Sequence, residues 1–155
     1  MTEAPLLAAV DHGVMTLTLH RPGKLNAIDN PLAEALLDAL DAAGRDGAVR
    51  AVRVRGEGRA FCAGRDVGAP PTERDLALVQ AVAAALVRLD KPVLFAVHGW
   101  TLGAGLEWML AGDIVVAASD ARFRLPEASL GVFVTGGLSA TLAASAGVGR
   151  AKALA

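Results

Sequence analysis

Residues 92–117, PVLFAVHGWTLGAGLEWMLAGDIVVA, decide the fold class. Pro92 to Val97 reads as a buried strand, His98 to Leu102 as a short loop, Gly103 to Ala111 as a glycine-flanked helix, and Ile114 to Ala117 as a second strand. Strand, helix and strand in close succession imply α/β packing with largely parallel pairing. The alternation continues upstream. Asp11-His12-Gly13 joins two extended segments, and Met15, Leu17 and Leu19 alternate with Thr16, Thr18 and His20 as in a half-buried strand. Asp29-Asn30-Pro31 supplies a cap and a first-turn proline for a helix ending near Gly44 or Gly47, with Leu32, Leu36, Leu40 and Ala43 along its inner face. Val49 to Arg55 reads as a strand and Gly56 to Gly68 as a loop. Thr72-Glu73 then starts a helix with Leu76, Val79, Ala83 and Leu86 facing inward. Downstream, a helix over Leu138 to Ala146 is followed by Gly149 to Ala155, which begins another without a stop signal.

The chain of 155 residues suffices for one domain, residues 1–155, with no linker or internal repeat. It is 54% hydrophobic and 20% charged, too apolar for a disordered segment and apolar enough that a partner subunit is expected to cover part of it. Fifteen basic residues against sixteen acidic ones leave no electrostatic footprint for nucleic acid. No apolar run reaches membrane-spanning length, the N-terminus lacks the basic region of a secretory signal, and the single Cys62 has no partner for an internal disulfide. The sequence therefore reads as a soluble protein of a reducing cytoplasm.

Two glycine-containing loops are candidate chemistry: Phe61-Cys62-Ala63-Gly64-Arg65-Asp66 and Gly103-Ala104-Gly105-Leu106-Glu107. The second opens into a helix, whose unpaired N–H groups and positive dipole end suit an oxyanion, although tight strand-to-helix packing needs the same glycines. Neither loop is a Walker A sequence or a full GxGxxG. Glu107, set among Leu106, Trp108, Met109 and Leu110, is a candidate proton-transfer group because burial raises a carboxyl pKa; a helix-start glutamate is the alternative. Glu127 follows Pro126 in a loop, and only tertiary folding brings it to Glu107. His12, His20 and His98 have no metal-site spacing, no Gly-x-Ser-x-Gly elbow is present, and Cys62 reads as packing. Asp113 reads as a structural hydrogen-bonding residue.

Taken together, His20-Arg21-Pro22 with Leu25-Asn26-Ala27, Arg59 to Asp66, Lys91-Pro92-Val93, Gly99 to Glu107, Ala111-Gly112-Asp113-Ile114, Ala121-Arg122-Phe123 and Pro126-Glu127 resemble the enoyl-CoA hydratase/isomerase (crotonase) superfamily. The resemblance covers essentially the whole chain and is specific for the superfamily, not for one reaction. It implies a crotonase fold of repeated ββα units in a spiral, assembled as trimers or hexamers, with a coenzyme A thioester as substrate and neither metal nor other cofactor. Carried over by position, the oxyanion hole is the backbone N–H of Arg65 and of Ala104, and the catalytic pair of the hydratases is Glu107 and Glu127. Lys24, Ala63, Arg65, Asp66 and Val67 fall at the coenzyme A site, with Lys24 toward the phosphates. The implied reaction is addition of water across the 2,3 double bond; an enoyl-CoA isomerase, another crotonase reaction or a non-catalytic crotonase-like subunit are the alternatives.

Several positions depart from that pattern. Ala104 stands where hydratases usually have glycine, so its N–H points inward without strain only at negative φ, and its methyl narrows the acyl pocket. His98 replaces a frequent asparagine. Residues 132–137, Val-Phe-Val-Thr-Gly-Gly, are one residue shorter than the usual glycine loop. Trp100 and Trp108 either line the pocket or belong to the core. Members commonly continue for about a hundred residues, in helices that depend on tertiary packing. The expectation is that this C-terminal helical part is missing, leaving Leu138, Leu142 and the last helix exposed.

Overall fold

In the computed structural model, residues 4–68 and 70–154 are described; Met1, Thr2 and Glu3 of the N-terminal reading and Ala155 of the last expected helix lie outside them. Strands β1 (Leu6–Asp11) and β2 (Val14–Leu19) pair antiparallel across His12 and Gly13, both at positive φ, and Met15, Leu17 and Leu19 turn into the core. A short 3₁₀ turn, Pro22–Lys24, leads to α1 (Asn30–Arg45), whose first turn is capped by the Asp29 carboxylate accepting from the Leu32 N–H at 3.0 Å. Leu32, Ala33, Leu36, Leu40 and Ala43 form its buried stripe.

Strand β3 (Ala51–Gly56) begins two residues later than Val49, because the Val49 N–H is taken by Asp46 O in a turn. Helix α2 (Glu73–Arg88) starts with a reciprocal capping box between Thr72 and Asp75. Its buried face is Val79, Val82, Ala83 and Leu86. Leu76, expected inside, is instead exposed on the first turn of α2, whose Arg74 pairs with Glu34 of α1. Strand β4 (Val93–Val97) follows; Asp113 Oδ2 accepts from the Val93 N–H at 2.8 Å, the structural role its position suggests.

His98 to Leu102 is only partly a loop. Trp100–Leu102 forms β5, which pairs parallel with β7 (Arg122–Arg124). Three residues are too few to show a strand period, and the partner lies some twenty residues on. Between them come α3 (Ala104–Leu110) and β6 (Ile114–Ala117); after them come α4 (Glu127–Leu130), α5 (Leu138–Ala146) and α6 (Val148–Leu154).

The larger sheet has the order β1-β2-β3-β4-β6, parallel from β2 onward, and the smaller one is β5-β7. Single bridges Ile28↔Arg65 and Cys62↔Thr101 extend the smaller sheet's pairing. Each turn of chain thus gives a strand to the large sheet, an extended segment to the small one, and a helix. This is the ββα spiral that the resemblance implied, and its second strands put residues 28, 62–65 and 100–102 side by side. The core lies between the large sheet and the helices, with Phe61 and Phe95 edge to face at 5.9 Å.

The expectation of exposed Leu138 and Leu142 is corrected: both are buried, because α5 packs against α3. Helix α6 buries none of its residues, and exposed apolar surface is also found on β6, where Ile114, Val115 and Val116 are exposed on both faces of the edge strand, and at Phe133, which is 95% exposed. No helix among the described residues is long and apolar enough to cross a membrane.

Candidate active site

The site begins with a buried knot at the first loop. Asn26, fully buried at φ +55, donates from Nδ2 to the carbonyls of Glu57, Ala60 and Phe61 at 2.9–3.1 Å, and its Oδ1 accepts from the Arg21 N–H at 2.8 Å. Arg21 reaches across with its guanidinium to Asp29 (2.9 Å) and Asp66 (3.3 Å) and also donates to Ala27 O. Polar residues in the motif thus pin residues 57–66 against the 3₁₀ turn. Their position beside Pro22 and Leu25 was legible in the sequence, but their role as a brace was not.

Glycines then let the two loops meet. Gly64, at φ +82, lies so close to the second loop that a Cβ there would sit 2.8 Å from Leu102 O and 3.6 Å from Ala104 N. A Cβ at Gly105 would meet Cys62 Cβ and Sγ at 2.8 Å. The Ile28↔Arg65 bridge uses Gly64 O and the Asp66 N–H, which turns the Arg65 N–H away from Ile28. Ala104 is the first residue of α3, where a helix has no internal acceptor for the N–H. Positive φ falls on Gly103 (+47), while Ala104 is not among the positive-φ residues, so its side chain is accommodated without backbone strain.

Both glutamates are buried and brought together. Glu107, in the first turn of α3, is 2% exposed; the Thr135 N–H donates to its Oε1 and the Thr135 hydroxyl to its Oε2, each at 2.6 Å. Glu127, first residue of α4, lies against Gly103, where a Cβ would be 2.6 Å from its Oε1. Its Oε2 has no hydrogen-bond partner among the described residues. Burial, reinforced by the neighbouring Glu107 charge, pushes the Glu127 carboxyl above its ordinary value. Thr135 carried no signal beyond standing before two glycines, and it was missed.

The residues expected around coenzyme A share one rim. Ala63 N–H donates to Leu25 O beside Lys24, the Lys24 charge acts on Asp66, and Val67 is exposed next to them. The Gly68 N–H and Arg21 hold the Asp66 carboxyl below its usual range. Arg65 Nη1 donates to Asp66 O at 2.8 Å, folding this side chain back on its own loop. A cleft of about 370 Å³ opens here, lined by Ile28, Asp29, Pro31, Arg65, Asp66 and Val79; another of about 500 Å³ separates α2 from residues 134–137. Cys62 is buried with its thiol pushed up to about 12, as a packing residue would be. Trp108 belongs to the core, its Nε1 donating to Val79 O, while Trp100 is exposed under the Arg122 guanidinium. His98 Nε2 is 2.7 Å from Gly58 O, a structural contact. No group of three His, Cys, Asp or Glu side chains among the described residues is placed to hold a metal ion.

A ββα spiral that juxtaposes two amide-bearing loops and two buried glutamates defines an α/β protein of the crotonase fold. The chain belongs to the enoyl-CoA hydratase/isomerase family, whose model matches residues 9–155. It is 38% identical over 160 residues to the 1,2-epoxyphenylacetyl-CoA isomerase of Escherichia coli strain K12, covering 97% of this chain and 61% of the relative. To the 2,3-dehydroadipyl-CoA hydratase of the same organism it is 37% identical over 147 residues, covering 92% of this chain and 57% of the relative. The chain therefore spans about three fifths of their length. The crystal structure of an enoyl-CoA hydratase from Mycobacterium avium subsp. paratuberculosis K-10 superposes on it with a TM-score of 0.94 at 32% identity, covering 100% of this chain and 64% of that one.

Proposed function

We propose that the protein adds water across the 2,3 double bond of an enoyl-CoA thioester. The observation that carries this reading is the pairing of two buried glutamates beside two converging loops, with each Glu107 oxygen accepting one hydrogen bond from Thr135 and Glu127 raised by burial. Glu107 takes a proton from water as the hydroxide bonds to the β-carbon. The π electrons move to the thioester oxygen, where the Arg65 and Ala104 N–H groups stabilise the enolate; one such donor is worth about 2.7–4 kcal/mol. Glu127 delivers its proton to the α-carbon as the carbonyl re-forms. Lys24, Ala63, Arg65, Asp66 and Val67 hold the coenzyme A portion along the first loop, and the thioester itself is the only coenzyme the chemistry requires.

Incubation with crotonyl-CoA tests this. Conjugated-thioester absorbance is expected to fall with appearance of the 3-hydroxy product, and Glu107→Gln or Glu127→Gln to slow it by about 10²–10⁴-fold. Full activity in either variant rejects the two-carboxylate mechanism. The family's description, which joins enoyl-CoA hydratases with isomerases, supports double-bond migration as the second reading, distinguished by conversion of a 3-enoyl-CoA without hydration.

The same reading places the protein in a reducing cytoplasm, supported by its buried, unpaired Cys62, and assembles it with further copies of itself as a trimer or hexamer. The exposed apolar β6, at the open edge of the large sheet, supports assembly. Sedimentation as a monomer at all concentrations speaks against it.

A further inference from the structure

We infer that Thr135 is a positioning residue for Glu107, its hydroxyl and its N–H together fixing which way the carboxylate faces. This rests on the hydratase reading above. Each Glu107 oxygen receives one donor from the same residue, at 2.6 Å from the Thr135 N–H and 2.6 Å from its Oγ1. The two bonds form a clamp across the carboxylate, which removes rotation about its terminal torsion. An ionised carboxylate has about four acceptor sites, so each oxygen keeps one for water.

The loop is held down on Glu107 by its neighbours. Gly136 lies at φ +56, with so little room that a Cβ would sit 2.9 Å from Glu107 Oε2 and 3.2 Å from its Cβ. Two residues further on, Leu138 is completely buried at the start of α5. The clamp is therefore anchored on its C-terminal side, by the close fit of Gly136 against Glu107 and by the core packing of Leu138. Glu127 has no such clamp, since its Oε2 lacks a partner among the described residues. Thr135 thus distinguishes the two glutamates: one is aimed by two donors, the other is left unclamped beside Gly103.

Thr135→Val separates the hydroxyl from everything else, because it keeps the shape, the β-branch and the main-chain N–H. Its kcat with crotonyl-CoA is expected to fall about ten- to a hundredfold with KM within about threefold, as for loss of a hydrogen bond to a charged group. Thr135→Ser is expected to restore most of the rate. In a Glu107→Gln background the Val substitution is expected to add nothing further, the signature of action through Glu107. Thermal melts accompany each variant, and if Thr135→Val does not fold, Thr135→Ala against Thr135→Ser makes the same comparison. An unchanged kcat in Thr135→Val, or an equal loss in the Glu107→Gln background, overturns the positioning role while leaving hydration intact. Wild-type protein that turns over neither crotonyl-CoA nor a 3-enoyl-CoA overturns the functional reading and this role with it.

Discussion

Asn26 and Glu127 show how differently two buried polar side chains bear on the same site. Asn26 offers two N–H protons to three carbonyls of residues 57–61, so its removal leaves several buried acceptors with no donor. Asn26→Ala is expected to destabilise the fold by about 1–3 kcal/mol in urea unfolding. Glu127 works in the opposite sense. Its folded-state pKa lies above the ordinary 4.5, so its stabilising contribution is complete below that value and is lost as pH rises through the raised one. Glu127→Gln is expected to flatten the decline in stability from mildly acidic to neutral pH and to be the more stable protein at neutral pH. Unfolding at a series of pH values reads both effects, and a steeper decline in the variant would reject the assignment. The carboxylates themselves were legible from Glu107 among apolar neighbours and Glu127 after Pro126. Their hydrogen bonding was not, because Thr135 lies 28 residues from Glu107 and no local pattern ties them.

Among the elements, those with strong local signals were readable: α1 from its Asp29 cap and its leucine spacing, α5 to its exact bounds, β2 from its alternation. Those that depend on distant partners were not. β5 and β7 are three residues each and exist because the spiral stacks them; the Ile28↔Arg65 and Cys62↔Thr101 bridges belong to the same layer. That layer sets the spacing of the two amide loops, and Gly64 is its tightest joint. A side chain there must both adopt φ +82 and clear Leu102 O at 2.8 Å. Gly64→Ala is expected to cost about 1–3 kcal/mol of stability and to lower kcat by spreading the Arg65 and Ala104 N–H groups apart. Paired melting and crotonyl-CoA kinetics check this; a variant with wild-type kcat would show that loop spacing does not limit catalysis.

At the scale of the molecule, the apolar composition resolves into a well-covered body and a sparsely covered end. Helices α1, α2 and α3 share one buried core with β2, β3 and β4, whereas α5 attaches through Leu138 and Leu142 and α6 buries no residue. The opening expectation therefore failed for the two leucines, which found α3, and held for α6, whose Val148 and Leu154 remain outside. Local stability follows buried contact, so hydrogen exchange is expected to be fastest in α6, intermediate in α5 and slowest in β2 to β4. Because Leu138 anchors the segment carrying Thr135, opening of α5 also loosens the clamp on Glu107. Leu138→Ala is accordingly expected to accelerate exchange across residues 135–146 and to lower kcat more than it lowers the unfolding midpoint of the body. Exchange measured by mass spectrometry beside crotonyl-CoA kinetics decides the matter: accelerated exchange in α5 with an unchanged kcat would show that the carboxylate is held independently of the helix beneath it.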